Sequence, residues 1–379
     1  MERTVIVGVA ESDLGLVPEG TTAGDLMGQA VMRAADDAGI ALSDIDGLFA
    51  STTELTMPAL TVAEYLGIDL RYLDGTQIGG SSFMAHLNHA RGAITAGLCD
   101  VAVVTHGSTQ RSVGRAKASP QEIPPYEAPY QPINPVSAYG LAASRYFHEF
   151  GATREHLAEV AVSAREWAKL NPKAFKQDDL TVEEVLSAPM ISSPLGVRDC
   201  CLVTDGGAAA IVMSESRAKS LGLKPIYILG VAEAASHRFV SSMPDLTTTA
   251  AAISGERAFE DAGLTPADVD VAELYDAFTI TTLLFLENLG FCKKGEAADF
   301  VKDGHIRPGG SFPVNTNGGG LSYCHPGMYG LLLIVEATRQ LRGECGDRQV
   351  PGAEVALAHG NGGVLSSQCT VILGTEPTR

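Results

Sequence analysis

Residues Val5–Asp13 read VIVGVAESD, and residues Tyr227–Ala235 read YILGVAEAA. The likeness continues downstream, where Val31–Phe49 (VMRAADDAGIALSDIDGLF) matches Ser254–Tyr275 (SGERAFEDAGLTPADVDVAELY). In each copy, a strand containing G-V-A-E precedes a helix that ends in R-A-x-x-D-A-G and a turn that contains D-[IV]-D. The separation is far longer than the unit of a solenoid protein. The sequence therefore predicts two similar α/β halves.

Each half continues with the same alternation of helix and strand. Gly39 and Gly263 follow the two helices and suit left-handed C-caps, and an aspartate after each predicts a turn. The further elements that the pattern predicts are a helix over Phe83–Thr95, a strand over Val101–Gly107, a helix over Met328–Leu341 and a strand over Val355–Gly363. Such alternation is typical of a mixed or mostly parallel sheet in each half. The predicted domains are residues 1–222 and 223–379.

The first half carries an insert, at about residues 108–190. Its first part, Ser108–Leu141, is rich in Pro, Tyr and Ser and is too long for a simple connection. A segment whose sequence pattern predicts helices follows it. An insert of this kind covers a site, builds an oligomer contact or is a surface excursion, and the sequence leaves these alternatives open.

Composition narrows the functional classes. The chain has 379 residues, of which 45% are hydrophobic, and a net charge of −18, which disfavours nucleic acid as a partner. Its apolar runs are too short to span a bilayer, and its opening residues predict a first strand rather than a signal peptide. Seven scattered cysteines without a C-x-x-C pair indicate free thiols, no metal site and a cytoplasmic location.

Four ordered motifs, together with the duplication, resemble the thiolase superfamily, in particular its sterol-carrier and lipid-transfer-protein-type branch. The motifs are VRDCCLVTDGGAAAIVM (Val197–Met213), ELYDAFT (Glu273–Thr279), GGGLSYCHPGMYG (Gly318–Gly330) and HGNGGVLSSQCTVILG (His359–Gly374). The resemblance spans essentially the whole chain. It implies a thiolase-like fold of two duplicated halves, with mixed sheets and helices in a layered α/β arrangement.

The departures from the family pattern concern its catalytic residues. Gly80 stands where the family has its acylated cysteine, and His359 stands where it has its second cysteine. Tyr275 replaces the histidine of the family's H-D-C-F segment, whereas the histidine of G-H-P remains as His325. Cys324 replaces a family glycine and is interpreted as a packed side chain. Without a thiolate to hold an acyl group, covalent acyl transfer is disfavoured.

The resemblance is strongest to steroid side-chain-cleaving aldolases, which likewise lack the cysteines. It implies retro-aldol cleavage of a β-hydroxyacyl-CoA, such as a 17-hydroxy steroid whose side-chain carboxyl is joined to CoA, to a ketone and propionyl-CoA. Coenzyme A would be part of the substrate, with no separate cofactor. The resemblance also implies a homodimer and a complex with a small zinc-ribbon/OB-fold protein. Two alternatives stay open: an acyltransferase that uses Ser81, Ser82 or Cys324, and a non-catalytic CoA-binding scaffold.

The candidate residues follow from enolate chemistry. Tyr275 and Tyr323 are the candidate acid and base, His325 a donor to the thioester oxygen, and Asp276 a residue that orients a tyrosine. His359 is a candidate because of its family position. Glycines that would let the backbone approach the acyl-CoA closely are Gly319, Gly320, Gly362 and Gly363.

Overall fold

A computed structural model describes residues 2–114, 118 and 122–378. The strands are β1 Thr4–Glu11, β2 Gly47–Ala50, β3 Tyr72–Asp74, β4 Val101–Ser108, β5 Met190–Ser192, β6 Leu195–Gly196, β7 Gly206–Ser214, β8 Ile226–Ala235, β9 Val271–Leu274, β10 Val355–Gly362 and β11 Ser367–Gly374. The helices are α1 Ala23–Ala38, α2 Pro58–Leu66, α3 Ser82–Thr95, α4 Gln110–Val113, α5 Val136–Phe150, α6 Arg154–Lys169, α7 Val182–Leu186, α8 Glu215–Ser220, α9 Ala251–Ala262, α10 Thr279–Asn288, α11 Ala297–Phe300 and α12 Gly330–Arg342. In the described part of the chain, none of the helices has the length and apolar character needed to cross a bilayer.

Nine strands form one mixed sheet in the order β3-β2-β4-β7-β1-β8-β11-β10-β9. The order repeats about its centre, because β1 pairs antiparallel with β7 as β8 does with β11, and β4 pairs parallel with β2 as β10 does with β9. The two half-sheets are continuous, since β1 and β8 pair antiparallel at Val5 with Tyr227 and Ile6 with Ile226. This pairing covers edges that two separate sheets would each leave open.

The helices lie in layers around this sheet. Helix α1 packs on β1, β4 and β7, and α9 packs on β8 and β11, so each covers strands of its own half. Helices α3 and α12 contact each other and strands of both halves, and they form the layer between the two half-sheets. The predicted layered α/β arrangement of two duplicated halves, with mixed strand pairing, is confirmed.

The duplicated residues make the same contacts in both halves. A Cβ on Gly8 would lie 2.3 Å from the Ala34 carbonyl oxygen, and a Cβ on Gly230 would lie 2.1 Å from the Ala258 carbonyl oxygen. The glycine of each G-V-A-E stretch therefore lets a helix approach its strand. The aspartates of the two R-A-x-x-D-A-G motifs accept hydrogen bonds from the strand N–H groups of Val9 and Val231. The predicted left-handed C-caps are confirmed at Gly39 and Gly263, with φ of 68° and 67°.

The insert differs from its predicted loop-like start. Helix α5 begins at Val136, within the segment that was expected to be irregular, and α6 and α7 and the β5–β6 pair complete the insert. The part of Ser108–Leu141 at residues 115–117 and 119–121 lies outside the described residues. The predicted boundary at residues 222 and 223 falls between α8 and β8.

Candidate active site

Loops from both halves and a helix of the insert surround one cavity of about 570 Å³. Its lining includes Gly80 before α3, Tyr139 on α5, Tyr275 after β9, His325 before α12 and Asn361 at the end of β10. The volume lies within the range of about 300–1,000 Å³ that is usual for small-molecule sites. The sequence-predicted residues Tyr275 and His325 thus share one cavity.

Tyr275 is positioned by the strand that precedes it. It follows the last residue of β9, and its backbone N–H donates to the His359 carbonyl oxygen of the neighbouring β10 at 3.1 Å. Its side chain is buried, and its hydroxyl oxygen lies 3.1 Å from His325 Nε2. The backbone N–H of Tyr329, the residue that caps the N-terminus of α12, donates to the same oxygen at 3.0 Å. The positive end of that helix therefore faces the Tyr275 oxygen.

Gly80 provides the space that the Tyr275 ring fills. A Cβ built on Gly80 would lie 2.1 Å from Tyr275 Cε2, 2.6 Å from Cζ and 2.7 Å from the hydroxyl oxygen. No side chain fits at such distances, because real Cβ atoms do not approach other heavy atoms below about 3 Å. The tyrosine therefore occupies the volume beside the position at which the family pattern has its acylated cysteine.

His325 is fixed by its backbone as well as by Tyr275. Its backbone N–H donates a hydrogen bond to the Thr204 hydroxyl oxygen at 2.9 Å. The carbonyl of the next residue, Pro326, lies 2.8 Å from Nε2 of the buried His106. The rings of Tyr275 and His325 meet edge to face, with centroids 5.7 Å apart. This geometry allows a proton to move between the two side chains.

Burial sets the resting state of Tyr275. Desolvation raises the pKa of its phenol well above the ordinary value of 10.0, although the Tyr329 N–H acts in the opposite direction. At neutral pH the side chain therefore carries its proton. It can lose that proton only to a partner in direct contact, and His325 Nε2 is in such contact.

Tyr323 was predicted to face Tyr275, but the structure does not bring the two hydroxyls together. Its hydroxyl donates to Glu11 Oε1 on β1 at 2.9 Å, and the described cavity lining does not include it. Glu11 is itself buried and forms ion pairs with Arg339 and Lys173. This cluster ties β1 to α12 and the insert. The geometry gives Tyr323 a structural partner in place of the predicted substrate contact.

Asp276 is likewise not among the described residues that line the cavity. Its carboxylate accepts the N–H groups of Gly320 at 2.6 Å and Leu321 at 3.2 Å, and so holds the single π-turn Gly319–Tyr323. A Cβ on Gly319 would lie 2.0 Å from Asp276 Oδ2. Gly319 and Gly320 are thus explained by packing against this carboxylate, a different reason from the substrate approach that was predicted for them.

The two other predicted glycines, Gly362 and Gly363, have different roles. Gly363 lies in the cavity lining, as predicted for a substrate-binding residue. A Cβ on Gly362 would lie 1.7 Å from the Ile78 carbonyl oxygen, so this glycine lets the end of β10 meet the loop before α3. Gly79 and Gly80 belong to that loop and line the cavity, although the sequence interpretation did not assign them to binding.

His359 lies on β10, and the described cavity lining does not include it. Its ring contacts side chains of the neighbouring strand. Its Nδ1 is 2.9 Å from Thr370 Oγ1 and its Nε2 is 2.9 Å from Gln368 Oε1, both on β11. Burial lowers its pKa to about 4, so the ring is neutral at physiological pH. The predicted direct role is therefore replaced by contacts with the neighbouring strand.

The nucleophiles of the alternative acyltransferase hypothesis are engaged elsewhere. Ser81 donates to the Ile78 carbonyl at 3.1 Å, and Ser82 accepts the Ile78 N–H at 2.9 Å. Cys324 lies 3.1 Å from the Thr204 hydroxyl, and burial raises the pKa of its thiol to about 12. A thiol with such a pKa supplies almost no thiolate at neutral pH.

The sequence interpretation missed two polar residues of the cavity lining, Tyr139 and Asn361. Tyr139 lies in the insert, where no repeat or family motif marks it, and Asn361 lies one residue beyond a motif glycine. Cys200 and Cys201 also line the cavity. A polar residue placed between motif glycines is the one signal that could have indicated Asn361.

Known proteins are similar to this chain over nearly its whole length. A family model described as Thiolase C-terminal domain-like matches residues 232–375. The chain is 36% identical to the 17-hydroxy-3-oxo-4-pregnene-20-carboxyl-CoA lyase of Mycobacterium tuberculosis, over 96% of this chain and 98% of the relative. It is 32% identical to an acetyl-CoA acetyltransferase of Methanothermobacter thermautotrophicus, over 96% of this chain and 97% of the relative.

A solved structure of the Ltp2-ChsH2(DUF35) aldolase superposes with a TM-score of 0.88 at 32% identity, covering 98% of this chain and 97% of that chain. The relatives therefore include both lyases and an acyltransferase. The side chains of the cavity therefore provide the evidence for choosing between carbon–carbon cleavage and acyl transfer.

Proposed function

The chain belongs to the thiolase superfamily and is a carbon–carbon lyase of its lipid-transfer-protein-type branch, and we propose that its substrate is a β-hydroxyacyl-CoA, which it cleaves by a retro-aldol reaction. The observation that carries the proposal is the Tyr275 ring packed on Gly80, where the family pattern has its nucleophile. The Tyr275 phenol fills the space beside the position at which the family pattern has its thiol. Proton transfer therefore replaces acyl transfer.

The proposed steps use Tyr275 and His325 together, with His325 as a proton acceptor in place of the thioester-oxygen donor that the sequence predicted. The proton of the substrate β-hydroxyl passes to the Tyr275 oxygen as the tyrosine's own proton passes to His325 Nε2, 3.1 Å away. The bond between the α and β carbons breaks, the β-carbon leaves as a ketone, and the electron pair forms the thioester enolate. The proton then returns through Tyr275 to the α-carbon. A base that relays a proton in this way needs no free phenolate in the resting enzyme.

The apolar side chains in the cavity lining support a bulky apolar acyl group. Its lining includes Ile133, Phe239, Val240, Phe278 and Met328. The M. tuberculosis relative is named for a 17-hydroxy steroid carboxyl-CoA. We therefore propose a substrate of this type, with propionyl-CoA and a ketone as products.

A direct assay tests the proposal. The purified protein is incubated with a CoA thioester that has a tertiary β-hydroxyl and a methyl group on its α-carbon, and the ketone and propionyl-CoA are quantified by liquid chromatography with mass spectrometry. The matched control is the same thioester without the β-hydroxyl, which has no hydroxyl proton to start the retro-aldol cleavage and should not be cleaved. Absence of both products, with and without a DUF35-type partner, would refute the proposal.

The chain is similar to an acetyl-CoA acetyltransferase over nearly its full length, so acyl transfer is a second reaction to test. An acyltransferase would form an acyl adduct on a cavity residue such as Cys200 or Cys201. Intact-protein mass spectrometry after incubation with acyl-CoA should show the unmodified mass. If a stable acyl adduct forms at catalytic speed, the reaction is acyl transfer.

We also propose that the chain works as a homodimer in complex with a small zinc-ribbon/OB-fold protein. The similar solved structure is an aldolase that contains both Ltp2 and the DUF35 protein ChsH2, which supports a partner of that kind. Co-expression with a DUF35-type protein, followed by light scattering coupled to size-exclusion chromatography, should give one species with both chains. Separate elution of the two proteins would contradict it.

A further inference from the structure

We propose that Tyr139 is a second substrate-contacting residue, whose hydroxyl donates a hydrogen bond to the thioester oxygen of the bound acyl-CoA. This inference rests on the proposed function, because retro-aldol cleavage is the reaction that places negative charge on that oxygen. A donor fixed at the site of developing charge stabilises the transition state more than the substrate.

Tyr139 reaches the cavity from the insert. It lies on α5, is buried, and lines the same cavity as Tyr275. Its ring stacks on Phe278, with centroids 4.3 Å apart and planes 29° apart. Phe278 is three residues beyond Tyr275, so the stacking fixes the two tyrosines relative to each other. The duplicated halves alone do not supply this hydroxyl.

A chain of hydrogen bonds sets the direction of the Tyr139 hydroxyl. Gln368 donates through Nε2 to Asn361 Oδ1 at 2.8 Å, and Asn361 donates through Nδ2 to the Tyr139 oxygen at 2.9 Å. The side-chain oxygen of Gln368, Oε1, is 2.9 Å from His359 Nε2, which therefore carries the hydrogen. Each amide is oriented by the group behind it, and the chain ends with the Tyr139 oxygen as an acceptor.

Because its oxygen accepts the Asn361 amide, Tyr139 keeps its own proton for another partner. The hydroxyl oxygen lies 3.4 Å from the Gly363 carbonyl oxygen, longer than the usual O–H···O distance of about 2.5–3.0 Å. Gly363 lines the cavity too, so a ligand oxygen placed there can take this hydrogen bond.

The acid strength of Tyr139 suits a donor rather than a base. Burial raises its pKa to about 12, while the Asn361 amide and the Leu365 backbone N–H act in the opposite direction. The hydroxyl therefore stays protonated at neutral pH. The two cavity tyrosines then divide the chemistry: Tyr275 moves the proton and Tyr139 holds the oxygen that becomes negative.

The test compares Tyr139→Phe with Tyr146→Phe in the complete chain, with the wild type as reference. Tyr146 lies on the same helix, is equally buried, and donates to Glu287, which is not part of the described cavity lining. Tyr139→Phe should lower kcat by about 10²–10³-fold with little change in KM, as for loss of one oxyanion donor. Tyr146→Phe should leave kcat close to the wild-type value. Equal kcat values in the two variants would overturn the proposal.

A second variant tests orientation without removing the hydroxyl. In Asn361→Asp, the carboxylate accepts from Gln368 and from Tyr139, so the Tyr139 proton turns away from the cavity. This variant should lose kcat to a similar extent, whereas retention of wild-type kcat in a folded Asn361→Asp protein would contradict the proposed direction of the chain.

Hydrogen exchange separates this inference from the proposed function. The enzyme should exchange the α-hydrogens of propionyl-CoA for deuterium in D₂O, because exchange passes through the same enolate. Exchange should fall at least about 10²-fold in Tyr139→Phe and persist in Tyr146→Phe. If the wild type cleaves substrate and Tyr139→Phe does so equally well, the inference alone fails. If the wild type neither cleaves nor exchanges, the proposed function fails and the inference fails with it.

Discussion

The replacement Tyr275→Phe separates chemistry from packing at the centre of the site. Phenylalanine keeps the ring that fills the space beside Gly80, whose Cβ position lies 2.1 Å from Tyr275 Cε2. It removes only the hydroxyl oxygen, which bonds to His325 Nε2 at 3.1 Å and accepts the Tyr329 N–H at 3.0 Å. The change therefore affects proton transfer much more than the shape of the cavity.

The expected magnitudes follow from those two contacts. A positioned acid or base contributes about 10²–10⁴-fold to the rate, which corresponds to about 3–5 kcal/mol of transition-state stabilisation. The buried Tyr329 N–H loses its acceptor, and an unsatisfied buried donor costs about 1–3 kcal/mol of unfolding free energy. We expect kcat to fall by at least 10²-fold, KM to change little, and the fold to persist.

The assay measures kcat and KM for cleavage of the β-hydroxyacyl-CoA, and urea unfolding measures stability. Tyr146→Phe is the control, because it loses a buried hydroxyl of the same kind that bonds to Glu287. A Tyr275→Phe protein that unfolds like the control and still cleaves substrate at more than one tenth of the wild-type kcat would refute the role assigned to Tyr275.

Three other replacements test neighbouring conclusions. Gly80→Ala should abolish activity and lower the unfolding free energy by about 1–3 kcal/mol through overpacking. Most of that loss of stability should disappear when the same change is made in a Tyr275→Ala protein. An equal loss in both proteins would contradict the packing of the Tyr275 ring on Gly80. Tyr323→Phe should keep a kcat near that of the wild type and lose about 1–2 kcal/mol of unfolding free energy, because its hydroxyl bonds to Glu11; a 10²-fold loss of kcat would restore Tyr323 as a catalytic residue. Burial raises the pKa of Asp276 from 3.8 to about 7, so its stability contribution is present below pH 4 and is lost as pH rises through 7. The unfolding free energy of the wild type minus that of Asp276→Asn should therefore fall between pH 4 and pH 8, and a constant difference would show that Asp276 does not titrate in this range.

Local sequence indicated the repeated framework because its causes are local. The glycine of G-V-A-E and the alanines and aspartate of R-A-x-x-D-A-G determine how each helix meets its strand, and Gly8 and Gly230 make equivalent contacts in the two halves. The C-caps at Gly39 and Gly263 likewise depend on one residue and its neighbours. The joining of the halves through β1 and β8 is a contact between residues more than two hundred positions apart.

The sequence by itself determined that the chemistry lacks the family's cysteine and that Tyr275 and His325 stand at family positions. Only the tertiary structure decided which side chains share the cavity. It directed Tyr323 to Glu11, Asp276 to the π-turn and His359 to β11, and it brought Tyr139 from the insert to the site. The physical reason is that residue type and spacing limit what a side chain can do, whereas its hydrogen-bond partner depends on which distant elements pack beside it.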